Sequence, residues 1–113
     1  MLAIPVFAHH GTNISYDNAH LMTIKGTVTE FVWANPHCQI YFDVKDEKGK
    51  IVHWAGEGNS PYNWAREGWN KRTLKPGDDV SFVLAPSKAG TPVGVVRKVI
   101  QADGKEILQF GGQ

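Results

Sequence analysis

"SPYNWAREG", residues 60–68, is the stretch on which the fold turns. Ser60 can accept a hydrogen bond from a first-turn backbone N–H. Pro61 suits the first helical position, where its missing N–H would have had no partner, and Gly68 ends the run. The pattern predicts one short helix through Tyr62–Glu67, with Trp64 and Tyr62 supplying its apolar contact. On either side the hydrophobic period is two rather than 3.6, so this helix stands alone among strands.

Upstream, Met22, Ile24, Gly26 and Val28 alternate with Thr23, Lys25, Thr27 and Thr29, which predicts a half-buried strand. Phe31 and Trp33 are apolar in the other register; a bulge near Glu30 accounts for the slip, and Gly26 suits a tightly bent strand. A second strand sets Cys38, Ile40, Phe42 and Val44 against His37, Gln39, Tyr41 and Asp43. "DEKGK" (46–50) has hairpin-turn chemistry. "IVHWAGE" (51–57) is a third strand whose two faces, Ile51, His53, Ala55 or Val52, Trp54, Gly56, are equally able to turn inward. Downstream, "LKPGDDV" turns into a fourth strand on Val80, Phe82 and Leu84, and "APSKAGTPVG" is a loop. "VVRKVIQ" is a fifth strand, and "ADGKEI" an Asp-Gly hairpin into a last strand, Ile107–Phe110. Five or six strands with one helix between the third and fourth is the order of a small OB-fold-like barrel, all-β in class. A barrel also removes the unpaired edges of a small open sheet. A small β-sandwich is the alternative.

The 113 residues make one domain's worth of chain, divided as an apolar segment 1–8, an extended polar arm 9–20 and a single β-barrel domain 21–113. Twelve basic and eleven acidic side chains are interspersed, which argues against nucleic acid as a partner. No stretch approaches the length of a membrane span. The single cysteine, Cys38, permits no intrachain disulfide and reads as a small buried hydrophobe. "MLAIPVFAHHG" (1–11) reads as the remnant of a secretory signal, with Val6-Phe7-Ala8 as a small-residue cleavage site; the alternative is an apolar arm on a cytosolic domain. The first reading makes the protein periplasmic or secreted.

Cleavage after Ala8 would leave His9 at the mature amino terminus, where the α-amine and imidazole form a chelate with His10 beside them. Both groups titrate near neutrality and serve as nitrogen ligands there. With the imidazole of His37, held next to Pro36 and Asn35, they would make a nitrogen-rich set suited to copper as Cu(II). The bland reading of each histidine is a surface group satisfying a turn. His20 and His53 are weaker candidates. Catalytic patterns are absent: Ser15, Ser60, Ser81 and Ser87 lie in no nucleophile elbow, and there is no HExxH, phosphate loop or dinucleotide fingerprint. The sequence is read as a binding protein, not an enzyme. A metal-free alternative presents Trp33, Tyr41 and Trp54 as a stacking surface for a small ligand, with Glu57 lining the pocket. A third reading is an accessory subunit of a larger periplasmic protein partner.

"AHHG" (8–11), "IKGTVTEFVWANPH" (24–37), "WAGEGNSP" (54–61) and "EGWNKRTLKPGDDV" (67–80) together resemble a family of small exported bacterial proteins grouped as a domain of unknown function. Its members commonly carry a His-His start and a Trp-x-Asn-Pro-His segment, and the resemblance spans nearly all of residues 8–110. It implies export and a compact β domain, and it does not imply an activity. The chain departs from the family at "APSKAG" (85–90), where relatives often have a His-Pro start.

Overall fold

The computed structural model describes residues 14–109. Its strands are β1 (Met22–Val32), β2 (Gln39–Lys45), β3 (Ile51–Glu57), β4 (Asp79–Pro86), β5 (Val93–Gln101) and β6 (Glu106–Gln109); α1 (Pro61–Arg66) lies between β3 and β4. The sheet order β3-β2-β1-β4-β5-β6, with a further β3–β5 pairing, closes five strands into an OB-fold-like barrel and leaves β6 outside on β5.

β1 serves two neighbours in turn. Met22 to Thr27 pair with Leu84 to Asp79 of β4, and Thr27 to Val32 pair with Asp43 to Gln39 of β2. The handover falls where the apolar phase slips, and the register shifts between Val28 and Glu30, the predicted bulge. At Gly26 an added Cβ would lie 2.7 Å from Phe42 Cδ2 and 2.9 Å from the Asp43 carbonyl oxygen, so the bend needs glycine.

The core answers the question left open at the third strand. Ile40 pairs with Gly56, Phe42 with Trp54 and Val44 with Val52, so Trp54 shares the inner face with the fully buried Ile40 and Phe42. Phe42 stacks on Phe82 with centroids 4.0 Å apart, and Trp54 stacks on Phe42 at 6.1 Å. The outer face carries Gln39 opposite Glu57, Tyr41 opposite Ala55, and Asp43 opposite His53.

Helix α1 is capped as the sequence implies: the Asn63 backbone N–H donates to Ser60 Oγ at 3.1 Å, and Pro61 opens the first turn. Trp64 is its buried residue; Tyr62, expected to share that contact, is 71% exposed because it points away from the barrel. A six-residue helix has room for one inward side chain of that size. Trp64 packs on Trp69 at 4.4 Å, and Phe31 meets both rings, forming an aromatic plug beside the Phe42 cluster. Trp69 Nε1–H donates to the Ile107 carbonyl at 2.6 Å, which ties β6 to the segment after α1.

The barrel closes through three parallel pairs, Ala55–Val93, Gly56–Gly94 and Glu57–Val95. Neither glycine has space for a side chain. A Cβ on Gly56 would lie 2.7 Å from Val96 Cγ2, and one on Gly94 would lie 2.7 Å from Leu84 Cδ1 and 2.9 Å from the Ala85 carbonyl oxygen. Gly94→Ala is therefore expected to lower stability by about 1–3 kcal/mol, the usual cost of overpacking, measured as a reduced urea midpoint. An unchanged midpoint would show that the seam can relax.

Candidate functional site

The outer face of β2 and β3 is where chemistry collects. At one end Glu57, on the last residue of β3, lies with Oε2 3.0 Å from His37 Nδ1. His37 sits ahead of β2, in a segment held to the end of β3 by Cys38 N–H donating to the Asn59 carbonyl and Gly58 N–H donating to the Cys38 carbonyl, both at 2.8 Å. The Asn35–Pro36 peptide that precedes it is cis. The imidazole is about half exposed, with Nδ1 within ion-pair distance of the carboxylate. At the other end Asp43 of β2 holds His53 of β3, Oδ1 to Nδ1, at 2.6 Å. Tyr41 and Ala55 lie between these two pairs.

Two segments remote in sequence wall this face. Residues 14–17 run antiparallel to the end of β4 and the loop after it: Lys88 N–H donates to the Ser15 carbonyl, Asp17 N–H donates to the Pro86 carbonyl, and Tyr16 bridges Ser87. This brings Tyr16 close to Glu57. Burial pushes the Tyr16 hydroxyl above its ordinary value, and the negative charge of Glu57 pushes it the same way. The loop from Ser87 to Pro92 is braced internally. Ser87 Oγ accepts from the Ala89 N–H and the Thr91 hydroxyl, each at 3.1 Å, and Gly90 turns at φ +84°.

Between arm, loop and sheet lies a groove of about 860 Å³ with Ile14, Tyr41, Ala55, Pro92 and Val93 in its lining. Trp54 contributes to the lining too, although its ring stacks on Phe42. His53 and Lys88 stand in the same lining.

The sequence-derived candidates are thus dispersed. Tyr41 and Trp54 meet at the groove, whereas Trp33 packs edge-on against Phe31 at 5.9 Å in the aromatic plug. Glu57 and His37 meet each other. His9 and His10 lie outside the described residues, as does the segment 1–8. Among the described residues no three His, Cys, Asp or Glu side chains gather as a metal-binding group. Cys38 is fully buried, and burial raises its thiol pKa, so it behaves as the small hydrophobe expected. Tyr16 and Lys88 escape a reading by residue pattern, and His53 is only a weak candidate from it. His53 shows only a strand period, Tyr16 stands in an aperiodic arm, and Lys88 in a loop. The signal available for Lys88 was architectural, since the β4–β5 loop flanks the ligand face in OB-type barrels.

Raised by burial, Tyr16 stays protonated where the unfolded chain ionises. Its contribution to stability is full below pH about 10 and is lost as pH rises through the folded value. Glu57→Gln is expected to move that folded value downward; tyrosinate absorbance at 295 nm, referenced to Tyr16→Phe, measures it. No movement would mean that Glu57 does not act on Tyr16.

A family model described as "Family of unknown function (DUF6152)" matches residues 1–97. No curated protein and no solved structure matches the chain. No helix among the described residues is long and apolar enough to cross a membrane.

Proposed function

This chain belongs to the DUF6152 family of unknown function, and from its geometry we propose that it is an exported small binding protein that seats a small ligand on the β2–β3 face. The observation that carries this reading is the groove of about 860 Å³ under the β4–β5 loop. Its volume falls in the range of small-molecule sites, and such sites combine an apolar lining with a few polar groups. The polar groups here are fixed in place: His53 by Asp43, and the loop by the Ser87 hydroxyl. The position agrees with the strand 2–3 face and loop through which OB-type barrels bind. Export is supported by the "AHHG" step after an apolar run.

The test is a thermal-shift screen of small apolar compounds. A ligand at about ten times its Kd stabilises by about 1.4 kcal/mol, worth about 5–8 °C in a domain of this size. The shifts are expected to vanish in Ala55→Trp, which fills the groove floor, and to persist in Tyr62→Ala, on the exposed side of α1. Shifts that survive Ala55→Trp would place binding elsewhere.

A second reading, copper held by histidines, is favoured by the His37–Glu57 pair. Histidines that ligate metals usually donate their other ring N–H to a carboxylate, which fixes the ring and raises its basicity. The donor types suit copper: His37 Nε2 here, with the imidazoles and amine that processing at His9 would supply. Reach permits it, since His10 precedes Tyr16 by six residues, about 20 Å of extended chain. On this reading the mature protein begins at His9 by mass spectrometry and binds Cu(II) in titration. His37→Ala abolishes that site, and Glu57→Gln weakens it about tenfold. A form retaining residues 1–8 that binds copper equally well would sink it.

A further inference from the structure

Lys88 and His53 are the groups in the groove lining that can carry positive charge, and no Asp or Glu stands in that lining among the described residues. The two cations are not equivalent. His53 is matched by Asp43 at 2.6 Å, whereas the ammonium of Lys88 has no carboxylate within ion-pair distance among the described residues. The Lys88 backbone is anchored, its N–H donating to the Ser15 carbonyl at 2.8 Å, and Ser87 beside it donates to the Val93 carbonyl at 3.0 Å. An uncompensated cation is thereby stationed over an apolar floor. Ser15, also in the lining, offers a hydroxyl donor for an oxyanion.

Resting on the groove reading above, we infer that the ligand class is an amphiphilic monoanion: a flat or branched apolar body bearing one carboxylate or comparable oxyanion. The body lies over Tyr41, Ala55, Pro92 and Val93, and the anionic end meets Lys88. A cationic ligand finds no carboxylate in the lining. A polyanion would need a cluster of basic side chains where there is one lysine. A wholly apolar ligand would leave the lysine's charge without complement.

Two probes with one body separate charge from shape: 1-anilinonaphthalene-8-sulfonate and its uncharged parent, N-phenyl-1-naphthylamine. Both are titrated by fluorescence into the folded full chain at low salt. The sulfonate is expected to bind about fivefold more tightly than the parent, the scale of one exposed ion pair. Lys88→Gln should erase that preference by weakening the sulfonate alone, and Lys71→Gln, on the segment after α1, should leave it intact. Raising the salt should narrow the gap through screening. Ala55→Trp, checked for native near-ultraviolet circular dichroism, should abolish both probes. Equal affinities that ignore Lys88→Gln but fall in Ala55→Trp overturn the anionic class and leave the groove reading standing. Affinities that ignore both variants overturn the two together.

Discussion

The structure depends on the closeness of β3 and β5 at Gly56 and Gly94. Three residue pairs close the barrel, and the central one is glycine against glycine, with Val96 and Leu84 occupying the volume a Cβ would need. On the inner side this lets the two strands approach over a filled core, since Leu84 and Val99 are fully buried and Val96 nearly so. On the outer side the flanking pair is Ala55 with Val93, both small, and both in the groove lining. The tight seam inside and the shallow floor outside are two faces of one constraint. Bulkier residues at the seam would force the strands apart, and bulkier ones beside it would fill the groove on the β2–β3 face.

The aromatics divide the remaining work. Phe42 and Phe82 form the barrel's centre with Trp54 packed against Phe42 at its edge, while Phe31, Trp33, Trp64 and Trp69 pack around α1 and the segment after it. Offset and edge-on pairs of this kind add about 0.5–1.5 kcal/mol each beyond the area they bury. Such packing matters in a chain with no disulfide to restrain it. It also removes most large rings from the outer β2–β3 face and leaves Tyr41 as the aromatic of β2 that points outward there.

What the sequence revealed was local. Alternation gave the strands, and the slip between Val28 and Phe31 gave the bulge. The Ser60–Pro61 cap gave the helix, and strand order gave the barrel. The face of β3 was illegible because both of its period-two sets are mixed: Ile51 with His53, Val52 with Trp54. Only the pairing of Trp54 opposite the buried Phe42 decides it, and that is a contact between strands. The site was harder still. Tyr16 meets Ser87 across 71 residues, and the groove exists because that arm lies along the β4–β5 loop. No periodicity encodes a meeting of two aperiodic segments. The residues that could be named in advance, His37, Glu57, Tyr41, Trp54 and more weakly His53, were those whose types carry chemistry or stack in any setting.

The two histidine–carboxylate pairs on the β2–β3 face need a reason beyond stability. Exposed ion pairs contribute about 0–1 kcal/mol, and His53 is 83% exposed. Their common effect is directional: each carboxylate engages Nδ1 and leaves Nε2 facing away from its partner. They do not act as one centre. Glu57 and His53 are four residues apart on β3, about 13 Å at the rise of a strand, whereas a metal's nitrogen ligands lie about 2 Å from it. One ion cannot draw on both pairs. The face is therefore two stations on one rigid hairpin. His37 belongs to the end beside Tyr16, and His53 belongs to the groove with Lys88. A ligand bound at the groove and a metal bound at His37 would share a scaffold without sharing an atom.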